Sequence, residues 1–263
     1  MSELLKVPTM AEFMAQGKKP EVLFWVGCSG SFDDRAKKIT KAFVKLLNKA
    51  KVEFAVLGTE ESCTGDPAKR AGNEFLFQMQ AVTNIEVLNG YEIKKIVTAC
   101  PHCFNTIKNE YPELGGNYEV MHHTQFLKTL LDEGRLTIEG GKYKGKRITF
   151  HDPCYLGRAN SVYQAPRDLI QKLEAELVEM KNCKRNGLCC GAGGAQMFKD
   201  AEKGDKEVNI ERTEQALDIK PEIIAAGCPF CNTMMTDGVK AKNKETDVAV
   251  MDIAELIANA QDL

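Results

Sequence analysis

Nine of the ten cysteines in this 263-residue chain fall into two ladders of nearly equal step, and no other feature constrains the fold as much. Cys28, Cys63 and the pair Cys100/Cys103 form one ladder. Cys154, the adjacent Cys189-Cys190 and the pair Cys228/Cys231 form the other, and Cys183 stands outside. Cys28 to Cys63 is 35 positions against 36 from Cys154 to Cys190; Cys63 to Cys100 is 37 against 38 from Cys190 to Cys228. A thiol-rich set recurring at one period implies that each half folds into the same unit and brings remote cysteines to one point, as metal ligation requires.

The segments between the cysteines alternate in type. The short β-branched runs VLFWVG (22–27), FAVLG (54–58), KIVTA (95–99) and YEVM (118–121) read as strands, as do RITFH, ELVEM, EIIAA and DVAVM in the second half. Amphipathic stretches lie between them: 33–47, 67–88 and 124–133, then 166–173, 206–217 and 252–260. This order predicts an α/β fold of two pseudo-repeated units, each a mostly parallel sheet flanked by helices, because crossover connections place helices on the sheet faces. We place the first unit at 1–134, the second at 147–263, and a Gly- and Lys-rich linker at 135–146. With 43% apolar residues the chain can fill two cores of roughly 120 to 130 residues each.

Cys28, Cys100, Cys154 and Cys228 each follow a predicted strand, at the corner where open α/β sheets bind ligands. Both Cys-x-x-Cys pairs then open a helix, where free N–H groups and the positive end of the dipole favour thiolate. The repeat extends beyond sulfur: Cys100-Pro101-His102-Cys103 answers Cys228-Pro229-Phe230-Cys231, and Val120-Met121 answers Val250-Met251.

A net charge of -2 and a pI near 6.2 leave no basic footprint for nucleic acid. No apolar run reaches the ~18 residues of a membrane span, and the opening MSELLKVPTMAEFMAQGKK lacks the apolar core of a secretion signal, so a cytoplasmic location is expected. Structural disulfides are rare in that compartment, which points the cysteines toward metal or redox chemistry. A thioredoxin-like dithiol would explain one Cys-Pro-His-Cys, but neither Cys28 and Cys63 nor a second copy. Structural zinc in both halves is the stronger alternative, since four thiolates suit a tetrahedral ion. The second set has five, however, and the neighbours Cys189 and Cys190 suit adjacent irons of a cluster better than one zinc.

Cys154, Cys189-Cys190-Gly191 and Cys228-x-x-Cys231 together resemble the cysteine-rich CCG domain of heterodisulfide reductase catalytic subunits, found also in iron-sulfur subunits of glycolate, lactate and glycerol-3-phosphate oxidation systems. The resemblance covers the whole chain. The strings CTGDPAKRAGNEFLFQ, CPHCFNTIKNEYPELGG, HDPCYLGRANSVYQAPR, CCGAGG and CPFCNTMMTDG are similar to the C-terminal half of iron-sulfur oxidoreductases associated with electron-transferring flavoprotein. It implies that Cys154, Cys189, Cys190, Cys228 and Cys231 hold a noncubane 4Fe-4S cluster. In the first motif Ser62 stands where the vicinal pair would have its first cysteine. Cys28, Cys63, Cys100 and Cys103 remain, a set compatible with an iron-sulfur cluster or with zinc.

The resemblance further implies an iron-sulfur electron-transfer subunit of an oxidoreductase complex, working between a flavoprotein or organic-acid oxidation unit and a quinone-linked membrane partner. The chain carries no ferredoxin-type cysteine run and no dinucleotide fingerprint, so the expected partners are a ferredoxin-domain iron-sulfur subunit, membrane-bound in some relatives, and a flavoprotein such as electron-transferring flavoprotein. Through such a partner the chain would lie at the inner face of the membrane. Two other readings stand beside this one: a catalytic disulfide reductase subunit, and a zinc-bound scaffold without redox activity. All four histidines, His102, His122, His123 and His151, fall at cysteine corners or strand ends, where they could donate to cluster sulfur or simply satisfy backbone carbonyls. Close backbone approach to a cluster would explain Gly191, Gly193 and Gly194, and Cys183 reads as an incidental thiol.

Overall fold

A computed structural model of the chain describes residue 5 and residues 7–138, 141–200 and 203–263. Among the described residues eight strands form two sheets: β1 (Val22–Trp25), β2 (Phe54–Ala55), β3 (Lys95–Thr98) and β4 (Glu119–His122), then β5 (Arg147–Phe150), β6 (Glu176–Leu177), β7 (Ile223–Ala226) and β8 (Ala249–Asp252). Each expected strand is present, and every pairing is parallel. The first sheet runs β2-β1-β3-β4 and the second β6-β5-β7-β8. The register repeats as well: Leu23 faces Ile96 in the first sheet, and Thr149 faces Ile224 at the equivalent place in the second.

The helices are α1 (Met10–Ala15), α2 (Gly27–Phe32), α3 (Asp34–Lys49), α4 (Asp66–Arg70), α5 (Glu74–Gly90), α6 (Pro101–Asn105), α7 (His123–Asp132), α8 (Gln164–Lys172), α9 (Val208–Leu217), α10 (Pro229–Ala241) and α11 (Ile253–Ala260). Capping sets several starts. Asp33 accepts from Ala36 N at 2.7 Å to open α3, and Asp252 with Glu255 forms a capping box at α11. The single helix expected over 67–88 is broken after Arg70. Gly72 turns the chain at φ +87°, and Asn73 then caps α5 by accepting from Leu76 N. Sequence periodicity missed α1, α2 and the π-helical turn Thr106–Glu110 after α6, all too short to show a repeat.

Strand alternation assigns the two faces of each sheet. Val22 and Phe24 join one core cluster, while Leu23 and Trp25 point into another. The first of these cores belongs to both halves: Phe43 and Leu47 of α3, Phe126 and Leu130 of α7, Leu169 and Ile170 of α8, and Leu256 and Ile257 of α11 fill the space between the sheets. α3 packs on α11 and α7 on α8, so a layer of four helices sits between two sheets with pseudo-twofold symmetry. Leu136 and Tyr143, within the expected linker, are buried in the same core; residues 139–140 of that linker lie outside the described residues. Outer helices cover the far faces, α5 and α6 on the first sheet and α9 and α10 on the second. Among the described residues no helix is long and apolar enough to cross a membrane.

Candidate metal centres

The C-terminal ends of both sheets point to one region, and all ten cysteines are free thiols. Cys100 and Cys228 are the N-caps of α6 and α10, each followed by a proline at a position whose N–H has no helical partner to lose. Cys103 and Cys231 therefore lie in first turns, with Phe104 N bonded to Cys100 O and Asn232 N to Cys228 O, each at 2.9 Å. Cys28 lies in the first turn of α2. Gly27 makes that turn at φ +77°, and a side chain there would meet Cys103 Sγ at 3.3 Å, so glycine admits Cys103 to the corner.

The first ladder closes into one set. The Cys28 thiol bonds Cys63 and Cys103 bonds Cys100, while Thr64 Oγ1 donates to Cys103 Sγ at 3.9 Å. Donation from Cys28, helped by the Gly65 N–H and opposed by burial, brings Cys63 down to about 6. A narrow cleft is lined by all four of these cysteines. Ser62 does not line it; its exposed hydroxyl donates to Asn84 Oδ1 at 2.9 Å. Burial raises Glu61 to about 7, although its carboxylate accepts from the backbone N–H groups of Val26 and Gly27 just ahead of Cys28.

The second ladder closes with all five. Cys154 bonds Cys189, Cys190 bonds Cys189, Cys190 Sγ and Cys231 Sγ are hydrogen-bonded at 3.3 Å, and Cys231 bonds Cys228. Donation from Cys154 and Cys190 holds Cys189 far below the thiol range, and Gly191 N donates to the same sulfur at 3.3 Å. The glycines after the vicinal pair have separate reasons. Gly191 sits at φ +89° and a side chain there would meet Val208 Cβ at 3.3 Å, whereas Gly193 faces open space. Cys183 is half-buried in the turn before Lys184, outside the five-sulfur set.

The four histidines divide by role. His151, fully buried, lies with its ring nitrogen within 4.8 Å of the Cys190 and Cys231 sulfurs. Burial and then the charge of Arg212 bring it down to about 3 and keep it neutral. His102 joins the two centres. It lines the first cleft, pairs with Asp66 at 2.9 Å and bonds the sulfur of Cys228 in the second centre. Burial opposes its charge, but Asp66 and Cys228 outweigh burial and hold the ring well above the imidazole range. Phe230, its counterpart in the second motif, lies edge-on to it at 5.2 Å and lines the first cleft in return. His122 Nε2 donates to Gly227 O at 3.0 Å, beside Cys228, and His123 bonds Asp252 at 2.9 Å, which gives both the role of satisfying buried acceptors.

Polar residues that motif reading missed complete the surroundings. Arg167 is clamped between Asp152 (2.8 and 2.9 Å) and Glu179 (2.6 and 3.0 Å), and Asp152 also accepts from Lys184 N at 2.7 Å, which ties the loop after His151 to the loop before the vicinal pair. Asn160 bonds Asn105 and Asn109 across the two halves, each at 3.0 Å. Arg212 and Asn84 occupy equivalent helices, each 16 positions ahead of a Cys-Pro-x-Cys motif, a spacing that aligning the two halves could have revealed.

Known proteins share this pattern. The cysteine-rich domain family designated CCG matches residues 22–108 and 148–236, one stretch for each sulfur set. The probable iron-sulfur-binding oxidoreductase FadF of Bacillus subtilis is 47% identical over 97% of this chain and 36% of its own length. EtfAB:quinone oxidoreductase of Syntrophomonas wolfei is 46% identical over 94% of this chain and 35% of its length. One component of the dihydromethanophenazine:CoB--CoM heterodisulfide reductase of Methanosarcina barkeri is 35% identical over 92% of this chain and 59% of its length. The chain thus spans about a third of the first two relatives. With both halves matched, it belongs to the CCG family of cysteine-rich domains.

Proposed function

We propose that this chain is the iron-sulfur electron-transfer unit of an oxidoreductase complex, built as units at 1–134 and 147–263. In this reading Cys154, Cys189, Cys190, Cys228 and Cys231 hold a noncubane 4Fe-4S cluster, and Cys28, Cys63, Cys100 and Cys103 hold a second cluster or a zinc ion. What carries the reading is one continuous set of five hydrogen-bonded thiols that includes a vicinal pair. One tetrahedral zinc has no use for a fifth thiolate, whereas several irons do. The surroundings fit the group too: among the described residues His151 Nε2 and Arg212 Nη2 are buried without a partner, the first on a ring with a nitrogen within 4.8 Å of the Cys190 and Cys231 sulfurs and the second on the arginine bonded to that ring, as donors reserved for an anionic group would be.

When bound, such a cluster takes up and releases single electrons. The chain's own residues hold and enclose it. Cys190, Cys228 and Cys231 are buried, while Cys154 and Cys189 are half-buried and give the centre an edge toward partners. The names of the relatives support a flavoprotein such as electron-transferring flavoprotein on one side and a ferredoxin-domain, quinone-linked subunit on the other. Anaerobically purified protein should show visible absorption that dithionite bleaches reversibly. A colourless zinc protein would contradict the proposal and favour the scaffold reading. Turnover of a disulfide substrate by the isolated chain would favour the disulfide-reductase reading.

A further inference from the structure

Arg212 is a fully buried cation whose direct partners are all neutral. Its Nε donates to His151 Nδ1 at 3.0 Å, and its Nη1 donates to Asn182 O at 2.7 Å and to Gln215 Oε1 at 3.0 Å. Among the described residues it makes no ion pair, and its Nη2 has no partner. Asp152, the nearest carboxylate acting on it, is already taken by Arg167 and Lys184 N. A guanidinium is costly to bury without a counter-charge. Beyond Asp152, the charges acting on it are, in order, the sulfurs of Cys183, Cys231 and Cys190, and the last two belong to the five-thiol set.

The same contact fixes the imidazole. Because Arg212 Nε–H points at His151 Nδ1, that nitrogen accepts, and the ring proton sits on Nε2. Nε2 is buried, has no partner, and belongs to the ring that lies within 4.8 Å of the Cys190 and Cys231 sulfurs. For Nε2 to ligate metal as a neutral ring, the proton would have to move to Nδ1 and face the arginine N–H, donor against donor.

The first half supplies an internal control. Sixteen positions ahead of Cys100, where the second half has Arg212 ahead of Cys228, stands Asn84. It is buried and neutral, donating to Cys63 O at 2.9 Å and to Tyr111 Oη at 3.1 Å. Three positions ahead of Cys28, where the second half has His151 ahead of Cys154, stands Trp25, whose Nε1 is likewise buried without a partner. A buried arginine therefore accompanies the five-thiol set and has no counterpart at the equivalent position of the four-thiol set, where the charged ring of His102 lines the cleft instead.

We propose that Arg212 and His151 are a paired counter-ion and N–H donor for the second centre: Arg212 offsets its negative charge and holds His151 as the Nε2–H tautomer, which hydrogen-bonds sulfur rather than ligating metal. This rests on the cluster proposed above. Both groups favour the more negative, reduced state and so act as positioning residues that raise the reduction potential.

The test is made on the whole chain, purified anaerobically, with iron and sulfide content, an EPR-monitored redox titration and pulsed EPR of protein labelled with ¹⁵N-histidine. Arg212→Met and His151→Phe should keep their iron and shift the oxidised-to-reduced ratio at fixed potential by about tenfold toward the oxidised form, a 59 mV lowering for one electron. Arg212→Lys and His151→Gln, which keep a charge and an N–H, should recover part of the shift. The unsubstituted protein should show a weakly coupled histidine nitrogen, a readout that stands even if Arg212→Met fails to fold. Unchanged potentials at full iron content, a strongly coupled ligating nitrogen, or iron lost from His151→Phe alone would each overturn the inference and leave the cluster reading standing. No iron in the unsubstituted protein would remove both.

Discussion

The two sulfur corners are built on one plan and diverge in charge. Both stand at the ends of parallel strands with the same register, and both use a cysteine-capped, proline-started helix to present a Cys-x-x-Cys pair. The first gathers four thiols near a neutral buried Asn84, to which the Ser62 hydroxyl is bonded rather than lining the cleft. The second gathers five beside a buried Arg212. The exchange of His102 for Phe230 is equally asymmetric: the first motif sends a charged ring to a sulfur of the second, and the second returns an apolar ring to the first cleft. A duplicated scaffold thus fixes where sulfur converges, and a few polar substitutions give the two corners different surroundings.

The contrast between the corners is open to substitution at specific positions, beginning with the ligands. Cys190→Ser or Cys231→Ser should lose nearly all the absorption of the second centre while the first keeps its metal, and Cys103→Ser should do the reverse. Intact spectra in either direction would dissolve the assignment of separate centres. Next is the support of each corner. Arg167→Met leaves Asp152 and Glu179 without their buried cation and should cost about 3–5 kcal/mol in urea melts. Arg70→Met, at a side chain 25% exposed in the first half, should cost about 1 kcal/mol or less. Equal losses would remove the asymmetry.

Acid should act on both halves, through His122 in the first and His151 in the second, but only the first has such a ring at the end of its edge strand. The first sheet ends in His122, held well below the imidazole range by burial and by His123, where the second sheet ends in Asp252. Below about pH 6.5 the unfolded ring takes a proton that the buried ring refuses, so stability falls as pH drops, by at most about 1.4 kcal/mol per pH unit for this group. His122→Asn should flatten that slope in denaturant titrations; an unchanged slope would assign it elsewhere. Smaller effects follow. Ser62→Cys restores a vicinal pair to the first corner and should raise its iron uptake, while an unchanged load would mean that the corner is closed to a fifth thiolate. Cys183→Ser should leave metal content intact and stability within about 0.5 kcal/mol.

Much of this was legible in the cysteine spacing and in the alternation of apolar runs. Each strand run is short, β-branched and bounded, so all eight strands were expected, and the equal ladder steps told which sulfurs would meet. Periodicity could not show how the units sit together, because the residues facing the shared core, such as Phe43, Leu130, Leu169 and Leu256, look like any amphipathic stripe. Nor could it single out Arg212 or Asn84. Each occupies a helix position that reads as surface or neutral, and only a tertiary fold that carries α9 and α5 against the sulfur corners gives them meaning. The histidines looked alike in sequence and proved to be three kinds: one at the second centre, one between the centres, and two satisfying buried acceptors.

The most direct measurement is iron and acid-labile sulfide per chain, after anaerobic purification, for the unsubstituted protein and for Cys190→Ser. The account predicts roughly four irons and matching sulfide at the second centre of the first protein, and their loss from the second. Zinc alone, or the same iron and sulfide in both proteins, would contradict it.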